Sequence, residues 1–298
     1  MNTTTASAPL SDTISTSPMR LPDDVVQCAT CGVEYDARRL PGACPICADE
    51  RQYLPADGVQ RWTRPLEHDE DIEVVELEEG LHALRCADGV GIGQEAKVLV
   101  VDAGAVMVDV PAAITEEAVQ AVRALGPVRA IIPSHPHMFG LQSLWSRALG
   151  DVPVWIARED AAWLGRTPEN LRLWEGTQEV LPRVVAAQLG GHFPGSAVVH
   201  GEGADGAGVL LTGDTIAPNP DGRTVAFMRS YPNRIPLSGP VALRVAEGAA
   251  AFGFERLYGN FAGAILVDAR ASVLASAARH AAWASGEHDD LTGSAGLA

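Results

Sequence analysis

The sequence predicts an α/β domain that follows a small metal-binding segment, and three observations carry this prediction. Short runs of apolar or alternating residues, typical of β-strands, dominate from residue 71 onward. A helical pattern capped by Thr115 lies between two of these runs and gives a strand–helix–strand order. Four cysteines near the N-terminus form two C-x-x-C pairs. With 298 residues, 47% of them hydrophobic and 20% charged, the chain is long enough for one large core and a small module.

The order of the expected elements follows from hydrophobic periodicity and from turn residues. Asp102-Ala-Gly104 predicts a hairpin turn between two apolar strands, and Gly126-Pro127 ends the helix that Thr115 caps. Strands are expected over residues 71–77, 81–86, 96–101, 105–110, 128–133, 152–156, 180–189 and 197–200. Helices are expected over residues 115–126, 141–149, 158–164 and 262–284.

Composition divides the chain into four segments. Residues 1–24 are rich in Ser, Thr, Ala and Pro without periodicity and are expected to form a disordered tail, because they offer too little apolar surface to offset the entropy of ordering. Residues 25–64 contain the paired cysteines and form the predicted metal module. Residues 65–285 form the α/β domain, and residues 286–298 form a polar C-terminal tail.

The charge of the chain limits its partners. The net charge of −16 repels a phosphate backbone or an anionic membrane surface at long range, so neither nucleic acid nor membrane is expected as a partner. The sequence has no apolar run of about 18 residues and no basic start followed by an apolar core. We therefore expect a cytoplasmic protein with a small-molecule substrate, and a homodimer is compatible with the sequence.

The cysteine pairs predict a structural metal site. Cys28 and Cys31 form one C-x-x-C pair, and Cys44 and Cys47 form the second, so four thiolates can converge on one tetrahedral ion. A module of about forty residues cannot build a sufficient core alone, and the cytosol keeps thiols reduced, so a metal is favoured over disulfides or unbound thiols. Zinc and iron both suit four thiolates, with zinc favoured. The C-x-x-C-G and C-P-x-C patterns resemble a rubredoxin or zinc-ribbon knuckle over residues 25–53.

Three histidines and one aspartate stand where apolar runs end. His135 and His137 follow the expected strand 128–133, His192 follows two glycines, and Asp214 follows the apolar run that ends in Thr-Gly. Open α/β sheets place ligands at the carboxyl ends of their strands, and imidazole nitrogens bind zinc or iron at about 2.0–2.1 Å. The H-x-H spacing by itself is weak evidence for a metal, because hydrogen-bonded or exposed loop histidines are the commoner explanation of such a pair.

The order of these motifs resembles the metallo-β-lactamase superfamily over residues 72–284. That family has H-x-H-x-D-H, a later G-H-x-x-G-S, a G-D at a strand end and a last histidine near the C-terminus. The resemblance implies an αββα sandwich. It also implies that His135, His137 and His192 occupy the family's first metal site, and that Asp214 is the carboxylate that usually bridges two metals.

Three departures from the family pattern concern the second metal. Phe139 and Gly140 stand where the family has Asp and His, and Asn260 stands at the expected position of the last histidine. Phe139 and Gly140 cannot coordinate a metal, and Asn260 is at best a weak neutral oxygen donor. The sequence therefore predicts one zinc or iron at the histidine site rather than two.

The resemblance implies a mononuclear metallohydrolase of a small ester, thioester or lactam-like acyl substrate, in which Asp214 orients or deprotonates water. One alternative is an iron oxidoreductase served by the cysteine centre: persulfide dioxygenases of the superfamily hold iron with the residues that match His135, His192 and Asp214. A further alternative is a scaffold that has lost its metal.

Residues 224–236 are dense in aromatic, basic and turn-forming residues, and two interpretations fit them. The segment is either the wall of a substrate pocket, with Arg229 or Arg234 meeting an anionic group, or a packing loop with solvated arginines. The candidate substrate-binding residues are Phe139, Arg229, Tyr231 and Asn260.

Overall fold

The structure is a computed structural model. It describes residues 22–53, 55, 57–65, 72–87, 89 and 91–293. The predicted N-terminal tail lies outside the described residues except for residues 22–24.

Strands and short helices make up most of the described chain. The strands are Val25–Cys28 (β1), Glu34–Asp36 (β2), Trp62–Thr63 (β3), Ile72–Glu78 (β4), Leu81–Cys86 (β5), Glu95–Val101 (β6), Gly104–Val108 (β7), Val128–Ile132 (β8), Val154–Ala157 (β9), Leu171–Trp174 (β10), Thr177–Leu181 (β11), Val184–Gln188 (β12), Ala197–Glu202 (β13), Gly208–Leu211 (β14), Ala217–Pro218 (β15), Val225–Ala226 (β16), Met228–Ser230 (β17), Ile235–Pro236 (β18), Arg256–Tyr258 (β19) and Ala264–Ile265 (β20). The α-helices are Pro45–Ala48 (α1), Glu116–Leu125 (α2), Gln142–Ala148 (α3), Gly239–Ala250 (α4) and Ala269–Ala284 (α5). Short 3₁₀ helices cover Pro136–Met138, Arg158–Trp163 and Asp289–Leu291.

Two β-sheets form the centre of the fold. The first sheet has the strand order β10-β9-β8-β7-β6-β5-β4, and the second has the order β11-β12-β13-β14-β19-β20. Strands β4 to β7 pair antiparallel, whereas β7 to β10 pair parallel. The second sheet is antiparallel except where β14 pairs with β19. The parallel strands β7 and β8 therefore end at the same edge, and this edge carries His135 and His137 in the loop after β8.

The alternation of side chains along the strands divides the core into layers. On β6, Val98 belongs to the apolar cluster on the outer face of the first sheet, which we call the outer cluster. Leu99, the next residue, faces the space between the two sheets. On β13, Val198 faces the cluster that contains α4 and α5, and Val199 faces inward. Helices α2 and α3 contribute to the outer cluster of the first sheet. The predicted αββα sandwich is confirmed.

The cysteine segment packs on the outer face of the first sheet. Strands β2, β1 and β3 form a small sheet of their own. The four cysteines belong to the same apolar cluster as Val98 and Trp145. The Glu34 carboxylate accepts hydrogen bonds of 2.7 Å from both the backbone N–H and the hydroxyl of Ser143 in α3. One core therefore crosses the predicted boundary at residue 64.

Several predicted elements differ from the structure. Residues 180–189, expected as one strand, belong to the hairpin of β11 and β12, because Pro182 has no N–H and Arg183 adopts a left-handed φ of 67°. Residues 158–164 form a 3₁₀ segment. The last helix begins at Ala269 instead of residue 262, because β20 first pairs with β19.

A 3₁₀ turn lies within the predicted polar tail, at Asp289–Leu291. None of the helices in the described part of the chain combines the length and the apolar character that a membrane crossing requires. The cytoplasmic location stays a prediction.

Candidate functional site

The loop that carries the first two histidines is held by an aspartate on the neighbouring strand. Asp109 follows β7, and its Oδ1 accepts the backbone N–H of Ser134 at 2.7 Å. Asp109 has a left-handed φ of 63°, and burial raises the pKa of its carboxyl group. This contact fixes the start of the loop, from which His135 and His137 turn toward the second sheet.

The structure brings the four predicted donor residues together. One ligand atom each from His135, His137, His192 and Asp214 lies within 4.8 Å of the others. The Nδ1 atom of His137 lies 3.3 Å from Nε2 of His192. Asp214 Oδ2 lies 3.4 Å from Nε2 of His135 and 3.6 Å from Nε2 of His192. All four side chains are at least 90% buried, so the cluster is shielded from bulk water.

Contacts on the far side of two imidazoles orient them toward the cluster. His192 Nδ1 lies 3.1 Å from the carbonyl oxygen of Met228, which can only accept a hydrogen bond, so Nδ1 carries the proton and Nε2 keeps its lone pair. His135 Nδ1 lies 3.0 Å from the Ser134 hydroxyl. Nε2 of His135 is buried and makes no hydrogen bond with the described residues. This orphaned nitrogen and the oriented His192 fit a bound metal.

The protonation states also suit a metal. Burial lowers the pKa of His137 well below its usual range and that of His192 to about 4. Burial would raise the pKa of Asp214, but the contact with His135, followed by the charges of the other two imidazoles, holds it at about 2. At neutral pH the cluster therefore offers neutral His137 and His192 and an ionised carboxylate, which are the forms that bind metals.

The four cysteines form a second, more regular cluster. Cys28 Sγ lies 3.7 Å from Cys47 Sγ, and Cys31 Sγ lies 3.8 Å from Cys44 Sγ. A metal–sulfur bond of about 2.3 Å places the corners of a regular tetrahedron about 3.8 Å apart, so these distances fit one ion. The Tyr35 hydroxyl lies 3.2 Å from Cys44 Sγ.

Hydrogen bonds within the cysteine cluster shift its thiols in opposite directions, lowering the pKa of Cys28 and Cys44 and raising that of Cys31 and Cys47. Gln60 Nε2 donates to Cys28 Sγ at 3.3 Å. Hydrogen bonds from the neighbouring cysteines, that of Cys31 first, hold the pKa of the Cys28 thiol far below its usual range. The donor set therefore fits zinc or iron in a closed site.

Conformation explains why the residues expected at the second metal site provide no ligands. Phe139 is 1% exposed and belongs to the outer apolar cluster. Gly140 has a left-handed φ of 46°, and a Cβ atom there would lie only 2.5 Å from the carbonyl oxygen of Val110, so the backbone leaves no room for a side chain. The Asn260 amide lies 2.7 Å from the sulfur of Met138.

A cavity of about 200 Å³ opens beside the histidine cluster. Its described lining consists of Arg51, Gln52, Tyr53, Ile92, His137, His192, Asp214, Tyr231, Pro232 and Phe261. Of the four predicted substrate-binding residues, Tyr231 lies in this lining. Its hydroxyl donates to the carbonyl oxygens of Asp214, at 3.1 Å, and Ala226, at 3.3 Å. Burial raises the pKa of Tyr231 well above its usual range, so the hydroxyl stays protonated.

The other three predicted substrate-binding residues do not belong to the described lining of the cavity. Phe139 and Asn260 are buried against the core and against Met138, as described above. The Arg229 guanidinium, on β17, pairs with the carboxylate of Glu50 in the cysteine segment. Arg234, the other arginine considered, also lies outside the described lining.

Sequence reasoning missed residues of two kinds. Asp109 follows an apolar strand just as Asp214 does, and this shared position at a strand end could have identified it as a candidate. Arg51, Gln52 and Tyr53 follow Cys47, the last of the paired cysteines, without any pattern that points to a cavity. Their role depends on how the cysteine segment docks, which local sequence does not reveal.

The fold and the donor clusters define the class of protein: an αββα sandwich with two groups of side chains that could hold a metal ion. The chain belongs to the metallo-β-lactamase superfamily, because the sequence model described as "Metallo-beta-lactamase superfamily" matches residues 90–246. The resemblance predicted from the motifs is confirmed. The superfamily includes metal-dependent hydrolases.

The comparisons also identify a relative that spans most of the chain. "Uncharacterized protein YmaE" of Bacillus subtilis (strain 168) is 35% identical over 261 residues, which cover 85% of this chain and 94% of the relative.

Solved structures share the fold at low sequence identity. The metallo-β-lactamase FIM-1 from Pseudomonas aeruginosa in its mono-zinc form is 14% identical, covers 70% of this chain and 96% of its own, and has a TM-score of 0.52. A metallo-β-lactamase from Erythrobacter litoralis, with β-mercaptoethanol in its active site, is 18% identical, covers 71% of this chain and 100% of its own, and has a TM-score of 0.52.

Proposed function

We propose that this protein is a mononuclear metal-dependent hydrolase of small ester, thioester or lactam-like acyl substrates. The observation that carries the proposal is the buried cluster of His135, His137, His192 and Asp214 beside a cavity. Gly140, whose conformation excludes a side chain, supports one metal rather than two. Membership of a superfamily that includes metal-dependent hydrolases supports the reaction class.

The residues of the chain then have separable roles. Zinc at this site would polarise an acyl carbonyl and lower the pKa of a water molecule to about 7. Asp214 would orient or deprotonate the attacking water. Met228 holds the His192 ring through its carbonyl oxygen. The Tyr231 hydroxyl is committed to two carbonyl oxygens and fixes the backbone of Asp214.

Hydrolysis assays test the proposal. The zinc-loaded protein is assayed with p-nitrophenyl acetate, a chromogenic thioester and a chromogenic β-lactam. We expect hydrolysis of at least one of them, and a fall in kcat/KM of more than about 100-fold in His192→Ala. His200→Ala is the matched control. His200 lies on β13 and contacts the carbonyl oxygen of Gly253, away from the cluster. Turnover that survives His192→Ala, or zinc-loaded protein that cleaves none of the three, contradicts the proposal.

A second candidate, an iron oxidoreductase, has one specific observation in its favour. Asp214 Oδ2 lies within 3.6 Å of Nε2 of both His135 and His192, as two histidines and one carboxylate would around iron. His137 separates the candidates. A zinc hydrolase needs all three imidazoles, so His137→Ala should lose its metal as His135→Ala does. In the iron enzyme, His137→Ala should retain iron, which elemental analysis would measure.

A further inference from the structure

The chain that leaves the cysteine cluster forms one wall of the histidine-site cavity. Helix α1 contains Cys47, and the residues that follow it run along the cavity as far as Tyr53. Arg51, Gln52 and Tyr53 all belong to the cavity lining. These residues lie outside the region 90–246 that matches the superfamily model, so superfamily membership assigns them no role.

Arg51 is fixed in place and keeps unused hydrogen-bond donors. Its Nε atom donates to the carbonyl oxygen of His192 at 2.7 Å, and its Nη1 atom donates to Asp49 Oδ1 at 2.6 Å. The guanidinium carbon lies 4.2 Å from the centre of the Phe193 ring. A guanidinium has five N–H groups, and among the described residues no hydrogen bond involves Nη2. Arg51 can therefore bind another acceptor without releasing its present partners.

The backbone that carries Arg51 is held just as firmly. The Ser230 hydroxyl donates to the carbonyl oxygen of Arg51 at 3.0 Å. The Asn233 amide donates to the carbonyl oxygens of Glu50, at 2.9 Å, and Gln52, at 3.0 Å. A side chain ordered in advance loses little entropy when a ligand binds.

The described lining of the cavity contains one positively charged side chain to which an anion could bind. Among the described lining residues, Arg51 is the one guanidinium and Asp214 the one carboxylate, and Asp214 already faces the imidazoles. Gln52 is 4% exposed, and its buried Oε1 atom makes no hydrogen bond with the described residues. This oxygen is an acceptor and does not bind an anion, so the N–H groups of Arg51 are the donors that a negatively charged group would meet.

We propose that Arg51 is the anion-binding residue of the cavity, and that the substrate carries a carboxylate bound by the Arg51 guanidinium. This inference rests on the proposed function. The substrate class is then a small acyl compound with a carboxylate close to its reactive carbonyl. The cysteine segment then forms part of the substrate site, and a metal bound by its cysteines would stabilise the segment that carries Arg51.

A matched pair of thiols tests the inference by binding alone. Titration calorimetry of the zinc-loaded protein compares 3-mercaptopropionate with 3-mercaptopropionamide, which has the same length but no charge. The thiol group of both compounds can bind zinc, so the ratio of their affinities isolates the carboxylate. We expect the wild-type protein to bind the acid about tenfold more tightly than the amide, because a charge-assisted hydrogen bond contributes at least that much.

Variants assign the preference to one arginine. Arg51→Gln should reduce the preference to less than about twofold while the affinity for the amide stays unchanged. Arg229→Gln is the matched control and should keep the wild-type preference, because Arg229 faces Glu50. Asp49→Asn removes the charge that competes for Arg51 and should increase the preference. This second variant decides the question if Arg51→Gln loses its zinc.

The outcomes separate the two proposals. Equal binding of both thiols to the wild-type protein overturns the role of Arg51 and leaves the hydrolase proposal standing. A preference that persists in Arg51→Gln, or that falls in Asp49→Asn, also overturns it. Binding of neither thiol contradicts the zinc site and therefore the proposed function, on which this inference rests.

Discussion

The two donor clusters of this chain differ in how they meet their surroundings. The cysteine cluster is closed: its four sulfurs lie within 4.8 Å of one another inside an apolar core. The histidine cluster combines imidazoles with a carboxylate and borders a cavity of about 200 Å³. Structural metal sites are usually closed, whereas catalytic sites keep a position for substrate or water. The difference supports our proposal that the first cluster stabilises the fold and that the second holds the catalytic metal.

The clusters are nevertheless joined. The Glu34 N–H donates to the carbonyl oxygen of Gly140 at 3.0 Å, and Arg51 reaches the carbonyl oxygen of His192. The cysteine segment thus contacts both histidine loops, including the part of the first loop where the superfamily pattern has further metal ligands. A closed site in one segment therefore supports an open site in another.

The largest expected effect comes from breaking the closed site. Cys44→Ser should lose the cysteine-bound metal and more than about 4 kcal/mol of stability, because metal binding is coupled to folding in such segments. Since the cysteines share a core with Val98 and Trp145, we expect the loss to reach the α/β domain as well. Urea denaturation and elemental analysis measure the two effects.

The fifth cysteine provides the control for this substitution. Cys86 lies on β5, outside the cluster, so Cys86→Ser should keep both metals. The contrary result would be that Cys44→Ser unfolds only its own segment while the histidine site keeps its metal and its affinity for that metal. In that outcome the two sites are independent, and the contacts of Glu34 and Arg51 contribute no coupling free energy.

A smaller effect is expected at the contact between the segments. Burial raises the pKa of Glu34 to about 7, although Ser143 and the charge of Arg166 act in the opposite direction. The folded protein therefore holds this proton more tightly than the unfolded chain. The resulting stability is fully present below pH 4.5 and is lost as the pH rises to about 7, on the order of 3 kcal/mol in total.

Glu34→Gln should remove this pH dependence. The glutamine amide can accept from the Ser143 N–H and donate to its hydroxyl, so the contact survives without the titrating proton. We expect the variant to match the wild-type protein near pH 4.5 and to be more stable at pH 8 in urea denaturation. Parallel curves for the two proteins across this range would show that Glu34 does not titrate there.

The smallest predicted effect concerns the support of one ligand. Ser134→Ala removes the hydroxyl that lies 3.0 Å from His135 Nδ1, and should weaken zinc binding at the histidine site about tenfold. The cysteine site should be unaffected. Competition with a chromophoric chelator measures both affinities, with Ser285→Ala, an exposed serine at the end of α5, as the control. Equal weakening at both sites would indicate general destabilisation instead.

Local pattern was sufficient for much of the fold. Strands β4 to β8 lie within about two residues of their predicted bounds, because their apolar residues alternate or run continuously between clear turn residues. The side-chain hydrogen bond that caps α2 at Thr115 was also predictable. Most of β11 was missed because this exposed strand carries little hydrophobic pattern, whereas the largely buried β12 lies within the strand predicted over residues 180–189.

The site was predictable only in part, for a physical reason. The motif order identified His135, His137, His192 and Asp214, which the structure brings together. The cavity wall was not predictable, because the contact from Arg51 to His192 joins residues 141 positions apart and depends on docking of the cysteine segment. The conformation of Gly140 likewise follows from the approach of a neighbouring backbone and not from local sequence.

Metal stoichiometry tests the central claim, that one closed and one open site each hold one ion. Elemental analysis of protein expressed in metal-balanced medium should find two metal ions per chain. His135→Ala combined with His192→Ala should leave one, at the cysteines. Three ions in the wild-type protein would contradict the single-metal histidine site, and one ion, retained by the double variant, would show that the histidine cluster holds no metal.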